Sequence, residues 1–168
     1  MIPFRRRRDG RVTARFEAGE ARLLLSLAEE AVELARAASA PESAALDPAL
    51  GRLLPDAYPD DPEASAEFRR FTAPGLADRK EAAARVVMET LAGTSGEGRV
   101  EVVLDQTQAT AWLRTITDVR LVLAARLNIR QDGDEGDIHD DESAMQRAVY
   151  DWLAAVQEFL VLALRPRR

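Results

Sequence analysis

Phe4-Arg-Arg-Arg-Arg-Asp-Gly-Arg-Val-Thr-Ala-Arg-Phe16 reads as two short strands, Phe4 to Arg8 and Arg11 to Phe16. Between them sits Asp9-Gly10, a dipeptide that tolerates the positive φ angles of a type I′ hairpin turn. Val12, Ala14 and Phe16 alternate with Arg11, Thr13 and Arg15, so one face can be buried while the other is strongly basic. Val100 to Leu104 reads as a third strand, and most of the remaining chain has helical periodicity. The fold class that follows is α+β, mostly α: a helical bundle packed against a small antiparallel β-sheet made from the N-terminal hairpin and one later strand.

Moving outward from the hairpin, Leu24, Leu27, Ala31 and Leu34 recur at helical spacing and predict a helix from about Glu17 to Ala38. Ser39 to Leu46 reads as a linker, and Asp47 to Pro55 as one or two short helical turns. Asp61 is placed to cap a helix with Pro62 at its first position, running through Phe71. A separate helix is expected from Pro74 to Leu91, because proline breaks helix interiors, and Gly93 to Gly98 ends it. Asp105 can cap the next helix, where Trp112, Ile116, Val119, Leu123 and Leu127 recur in steps of three and four. The last helix, about Glu142 to Leu164, is apolar on nearly every face, which suits a central position or an oligomer interface such as a homodimer. At 168 residues one domain accommodates all of this: hairpin 1–16, helices 17–92, strand 100–104, helices 105–164.

Charge is distributed unevenly. Residues 1–16 carry six arginines against Asp9, and residues 165–168 carry three more, so the ends sum to +8 and leave −14 on the middle of a chain whose net charge is −6. Such an acidic body repels phosphate backbones, whereas basic ends attract them or an acidic protein surface. There is no cysteine, so neither a disulfide nor a thiolate metal site can form. Asp9-Gly10 interrupts any signal-peptide pattern, and the longest apolar run, Phe159 to Leu164, is far short of the roughly 20 residues that span a bilayer. A cytoplasmic protein without membrane contact is expected.

The inventory for catalysis is small. His139 is the only histidine, and it sits within Asp132 to Glu142, an acidic loop expected to be mobile and solvated and to end in helix-capping carboxylates. A calcium-binding EF-hand asks for Gly at loop position six and Glu at position twelve. Counting from Asp132, those positions hold Asp137 and Ser143. Gly93, Gly96 and Gly98 lie after a helix and before a strand, the reverse of a phosphate-binding loop. Asp60-Asp61 and Asp140-Asp141 read as turn and cap residues. No catalytic residue, metal ligand or cofactor is assigned, and the chain is expected not to be an enzyme.

Three stretches carry a family signature: Arg52 to Phe71 (RLLPDAYPDDPEASAEFRRF), Trp112 to Leu127 (WLRTITDVRLVLAARL) and Val149 to Leu160 (VYDWLAAVQEFL). With the arginine-rich start, they resemble an actinobacterial family of domains of unknown function typified by AosR, an oxidative-stress-responsive transcriptional regulator. That resemblance implies regulation of stress genes through contact with a sigma factor of RNA polymerase. It also implies a redox switch built on a cysteine pair, which this sequence lacks, so thiol–disulfide sensing within this chain is impossible. The family context offers a different reading, an accessory to proteolysis by ClpS and the Clp protease. A homo-oligomeric structural module is a third.

Arg5, Arg6, Arg7, Arg8, Arg11 and Arg15 are the candidate partner-binding residues, since guanidinium groups bind carboxylates and phosphates bidentately. Arginines on an edge strand equally serve to prevent edge-to-edge pairing. No helix shows the basic, polar face that reads a major groove, so protein contact is favoured over direct DNA reading.

Overall fold

The structure is a computed structural model that describes residues 1–40, 47–58, 60–92, 98–131 and 133–165. Among these, three strands, β1 (Ile2–Arg6), β2 (Val12–Phe16) and β3 (Val100–Leu104), form one antiparallel sheet in the order β1-β2-β3. Five helices accompany it: α1 (Ala18–Ala38), α2 (Pro48–Leu53), α3 (Pro62–Ala92), α4 (Gln106–Arg126) and α5 (Asp141–Leu164). The expected α+β class, mostly helical, is what the chain adopts. Among the described residues, no helix is long and apolar enough to cross a membrane. The linker assigned to Ser39 to Leu46 and the glycine stretch 93–98 fall largely outside the described residues.

Alternation does what it predicts on the sheet. Val12, Ala14, Phe16, Val100, Val102 and Leu104 are buried on the helix-facing side, with Phe4 beside them from β1. Trp112 of α4 joins the two layers. Its ring stacks on Phe16 at 5.9 Å and meets Phe4 edge-on at 5.8 Å, and its Nε1–H donates to Thr90 Oγ1 of α3 at 2.9 Å. A fully buried indole with its one donor satisfied contributes packing without the cost of an orphaned polar group.

The hairpin turn differs from a type I′ turn. Gly10 alone has positive φ, 85°, and Asp9 does not. The Gly10 N–H donates to the Arg7 carbonyl, and the Arg7 N–H to that of Arg11, so the loop has three residues with glycine at the left-handed position. Asp9 is free to turn its carboxylate onto the Arg11 backbone and guanidinium instead.

The expected break before Pro74 is absent, and α3 runs unbroken from Pro62 to Ala92. Pro74 lies on the exposed side, while Ala73 and Ala77 on either side of it are buried in a second cluster with Leu50, Leu53, Leu54 and Val122. Burial of one continuous face outweighs the roughly 3 kcal/mol that an interior proline costs. Capping is local and follows the sequence: Asp61 accepts from the Ala64 N–H, while Asp105 with Gln108 and Asp140 with Ser143 form capping boxes.

The described part of the acidic loop is largely exposed, as expected, and it is also held by hydrogen bonds. Asp134 accepts the Arg130 and Gln131 N–H groups, Asn128 donates to Asp137, and Arg147 of α5 donates to the carbonyls of Asp134 and Glu135. Gly136 has φ 78° and lies where a Cβ would come within 3.0 Å of the Leu127 carbonyl oxygen, so only glycine lets the loop close on the end of α4. His139 is exposed in this loop.

Candidate docking groove

The six predicted arginines divide by what they touch. Arg6 donates to the Leu164 carbonyl at the end of α5, 3.2 Å away, where a cation also favours the helix dipole. Arg11 is bonded to Asp9, and Arg15 pairs with Glu101 at 3.1 Å across the β2–β3 ladder. Arg5, opposite Thr13 on the solvent face of the sheet, and Arg8 in the turn are exposed, with no side-chain hydrogen bond or ion pair among the described residues. Arg7 is exposed and acts electrostatically on Asp9. The structure therefore gathers these arginines around one hairpin but commits half of them to holding it in place.

The signature segment is also architectural. Arg69 of α3 donates to the Leu54 carbonyl and to Asp56, and Ser65 exchanges hydrogen bonds with the backbone of Tyr58 at 2.7 and 3.1 Å. Arg52 reaches the Ile129 carbonyl. These residues fasten the segment after α2 to α3, and α2 to the chain just past α4.

The opening that the sequence did not disclose lies between α3 and α4. Two adjoining hollows of about 400 and 410 Å³ share Arg79 and Arg114 in their walls. Leu76 and Leu113 supply an apolar end, Ala82, Ala83 and Ala111 keep the floor low, and Thr107, Thr110 and Thr117 add hydroxyls. Along α3 the stretch from Leu76 to Val86 is about 15 Å long, roughly three helical turns. Leu76 also borders a smaller hollow that contains Phe68, and the exposed Tyr58 and Phe68 rings pack edge-to-face at 6.0 Å.

Electrostatics sharpens this site. Lys80, the only lysine, donates to Asp118 at 2.6 Å. Burial pushes the Asp118 carboxyl above its ordinary pKa, and the Lys80 hydrogen bond pulls it part of the way back. Arg79 and Arg114 remain as exposed rim cations with no side-chain hydrogen bond or ion pair among the described residues. Elsewhere on α3, by contrast, Arg85 shares Glu81 with Arg36 of α1, and the hydrogen bonds from both guanidinium groups hold Glu81 at a pKa of about 2. Arg114 has Asp118 as its i+4 neighbour on α4. In the fold that carboxylate belongs to Lys80.

A family model described as "Domain of unknown function (DUF2017)" matches residues 1–164. The chain belongs to the DUF2017 family. Among DUF2017 relatives, the protein named "Oxidative stress regulator AosR" of Mycobacterium tuberculosis (strain ATCC 25618 / H37Rv) is 36% identical over 135 residues, covering 73% of this chain and 60% of the relative. The protein of the same name from Mycobacterium bovis gives the same figures. This DUF2017 chain thus spans about 60% of the length of the curated relatives it matches. No solved structure matches it.

Proposed function

We propose that this DUF2017 protein is a non-enzymatic regulator that modulates transcription by contact with a sigma factor or RNA polymerase, using the α3–α4 groove to hold an acidic helical segment of that partner. The observation that carries the reading is the pairing of unneutralised Arg79 and Arg114 with an apolar floor about three turns long. That is the form of a helix-in-groove site, in which apolar contacts supply affinity and rim charge supplies selection. Tyr58 and Phe68 at the Leu76 end add the aromatic type that dominates interface hot spots. The relatives' name supports a regulatory role, and the absence of cysteine requires that any signal reach this chain by a route other than its own thiols.

The test is affinity purification of the tagged protein from its host at physiological salt with nuclease present, beside an Arg79→Glu/Arg114→Glu variant. The expected result is that a sigma factor or RNA polymerase is recovered with the wild type and lost with the variant. Recovery of Clp components without polymerase would replace this reading with that of a proteolysis accessory, and equal recovery on both baits would move the contact away from the groove.

A further inference from the structure

Helix α5 buries Leu153, Val156, Leu160 and Ala163 against the core, yet it carries a second apolar stripe outside that face. Met145, Ala148, Trp152, Ala155, Phe159 and Leu162 follow one another in steps of three and four, the heptad spacing of a two-helix seam. Met145 is 65% exposed, Leu162 46% and Phe159 38%, while Trp152 is only partly buried. A stripe of this period whose Met145, Phe159 and Leu162 lie in water is the pattern of a helix awaiting a second helix.

We propose that the occupant is a second copy of this chain, its α5 packed antiparallel about a two-fold axis between Trp152 and Ala155. That pairing sets Met145 against Leu162, Ala148 against Phe159 and Trp152 against Ala155 of the other copy. Each aromatic then meets an alanine, as interdigitation requires. A parallel pairing would set Trp152 and Phe159 on their own counterparts and leave alanine opposite alanine. Charge at the two ends of the seam favours the same arrangement, while Asp151 and Glu158 flank the stripe and come together across it, which weakens the pair. The acidic start of α5, with Asp140, Asp141 and Glu142, comes to lie near the exposed Arg165 at its far end, whereas a parallel pair would stack acid on acid.

The seam is about 26 Å long. A stripe of six side chains is small beside the roughly 800 Å² per partner of a standard interface, so a weak, reversible dimer is expected. It is independent of the α3–α4 groove, and groove variants leave it intact.

Sedimentation velocity of the full chain from about 1 to 300 µM tests the proposal, with the monomer at 18.5 kDa. The expected result is a concentration-dependent shift toward twice that mass. Phe159→Glu and, separately, Leu162→Glu should abolish it with far-UV circular dichroism unchanged. The register is read by disulfide trapping, which is clean in a chain without cysteine. Met145→Cys mixed with Leu162→Cys should give a mixed disulfide dimer, and neither variant alone should cross-link. A monomer throughout the range, or a dimer that withstands both glutamate variants, overturns the proposal. Cross-linking of Met145→Cys with itself overturns the antiparallel register.

Discussion

The hairpin and the α3–α4 groove both present arginine, but in opposite conditions. In the hairpin, Arg6 holds the end of α5, Arg11 holds Asp9 and Arg15 holds Glu101. In the groove, Arg79 and Arg114 stand over apolar floor with no such partner among the described residues. The denser run of charge in sequence is therefore the more committed one in space. Density of like charge measures the field around a segment, whereas availability for a partner depends on what each guanidinium already touches.

The largest expected effect breaks the comparison at its structural end. Phe4 is buried against Phe16 and Trp112 and anchors β1 to the core. Phe4→Ala should cost about 3–5 kcal/mol in urea unfolding. A loss below about 1 kcal/mol would show that β1 is peripheral and that its arginines are freer than their contacts suggest. The same logic bears on removing residues 1–9, which takes away an edge strand as well as four arginines, so loss of partner binding in that deletion cannot be assigned to charge alone.

Next comes the pair beneath the groove. Lys80→Ala leaves Asp118 buried without its cation, at a cost of about 2 kcal/mol near neutral pH, less than for a fully buried pair because Lys80 retains some water contact. The sign with pH follows from the raised Asp118 pKa. The folded state holds the proton more tightly than the unfolded state, so this group's contribution to stability is fully present below its ordinary pKa of 3.8 and is lost as pH rises through its folded pKa. Losing Lys80 raises that folded pKa further. The deficit of Lys80→Ala against wild type should therefore be smaller in thermal melts at pH 4 than at pH 7, and an equal deficit at both would mean that Asp118 is not the group responsible.

What was legible in the sequence was local or periodic. Asp61, Asp105 and Asp140 were recognisable as caps because a cap needs only its next three residues. The sheet face was visible in the alternation of Val12, Ala14 and Phe16. Pro74 misled because a local rule lost to a continuous buried face that passes through Ala73 and Ala77. The groove was invisible because its walls are residues some 30 positions apart on two helices, and because Asp118 is nearer in sequence to Arg114 than to the Lys80 it binds. The Arg15–Glu101 pair, whose partners are 86 positions apart, was out of reach for the same reason.

That cross-strand pair supplies a smaller test. Both side chains are about half exposed, so a double-mutant cycle on Arg15→Ala and Glu101→Ala should return a coupling of about 0.2–1 kcal/mol that shrinks with added salt. A larger, salt-resistant coupling would mean that the sheet's outer face is more dehydrated than its exposure indicates, and would strengthen the case that its arginines are structural.

The smallest expected effect on stability is the most informative for function. Arg79→Ala/Arg114→Ala removes two exposed side chains that hold nothing in place among the described residues, so unfolding free energy should move by no more than about 0.5 kcal/mol. If the groove receives an acidic helix, the same double variant should lose partner capture, and wild-type capture should weaken steeply between low and physiological salt because the rim cations steer association. A stability change well above 1 kcal/mol would place Arg79 and Arg114 with Arg6, Arg11 and Arg15 as scaffold, and the comparison between hairpin and groove would collapse. Unchanged stability with lost capture is the one combination that a purely structural role for these two arginines cannot produce.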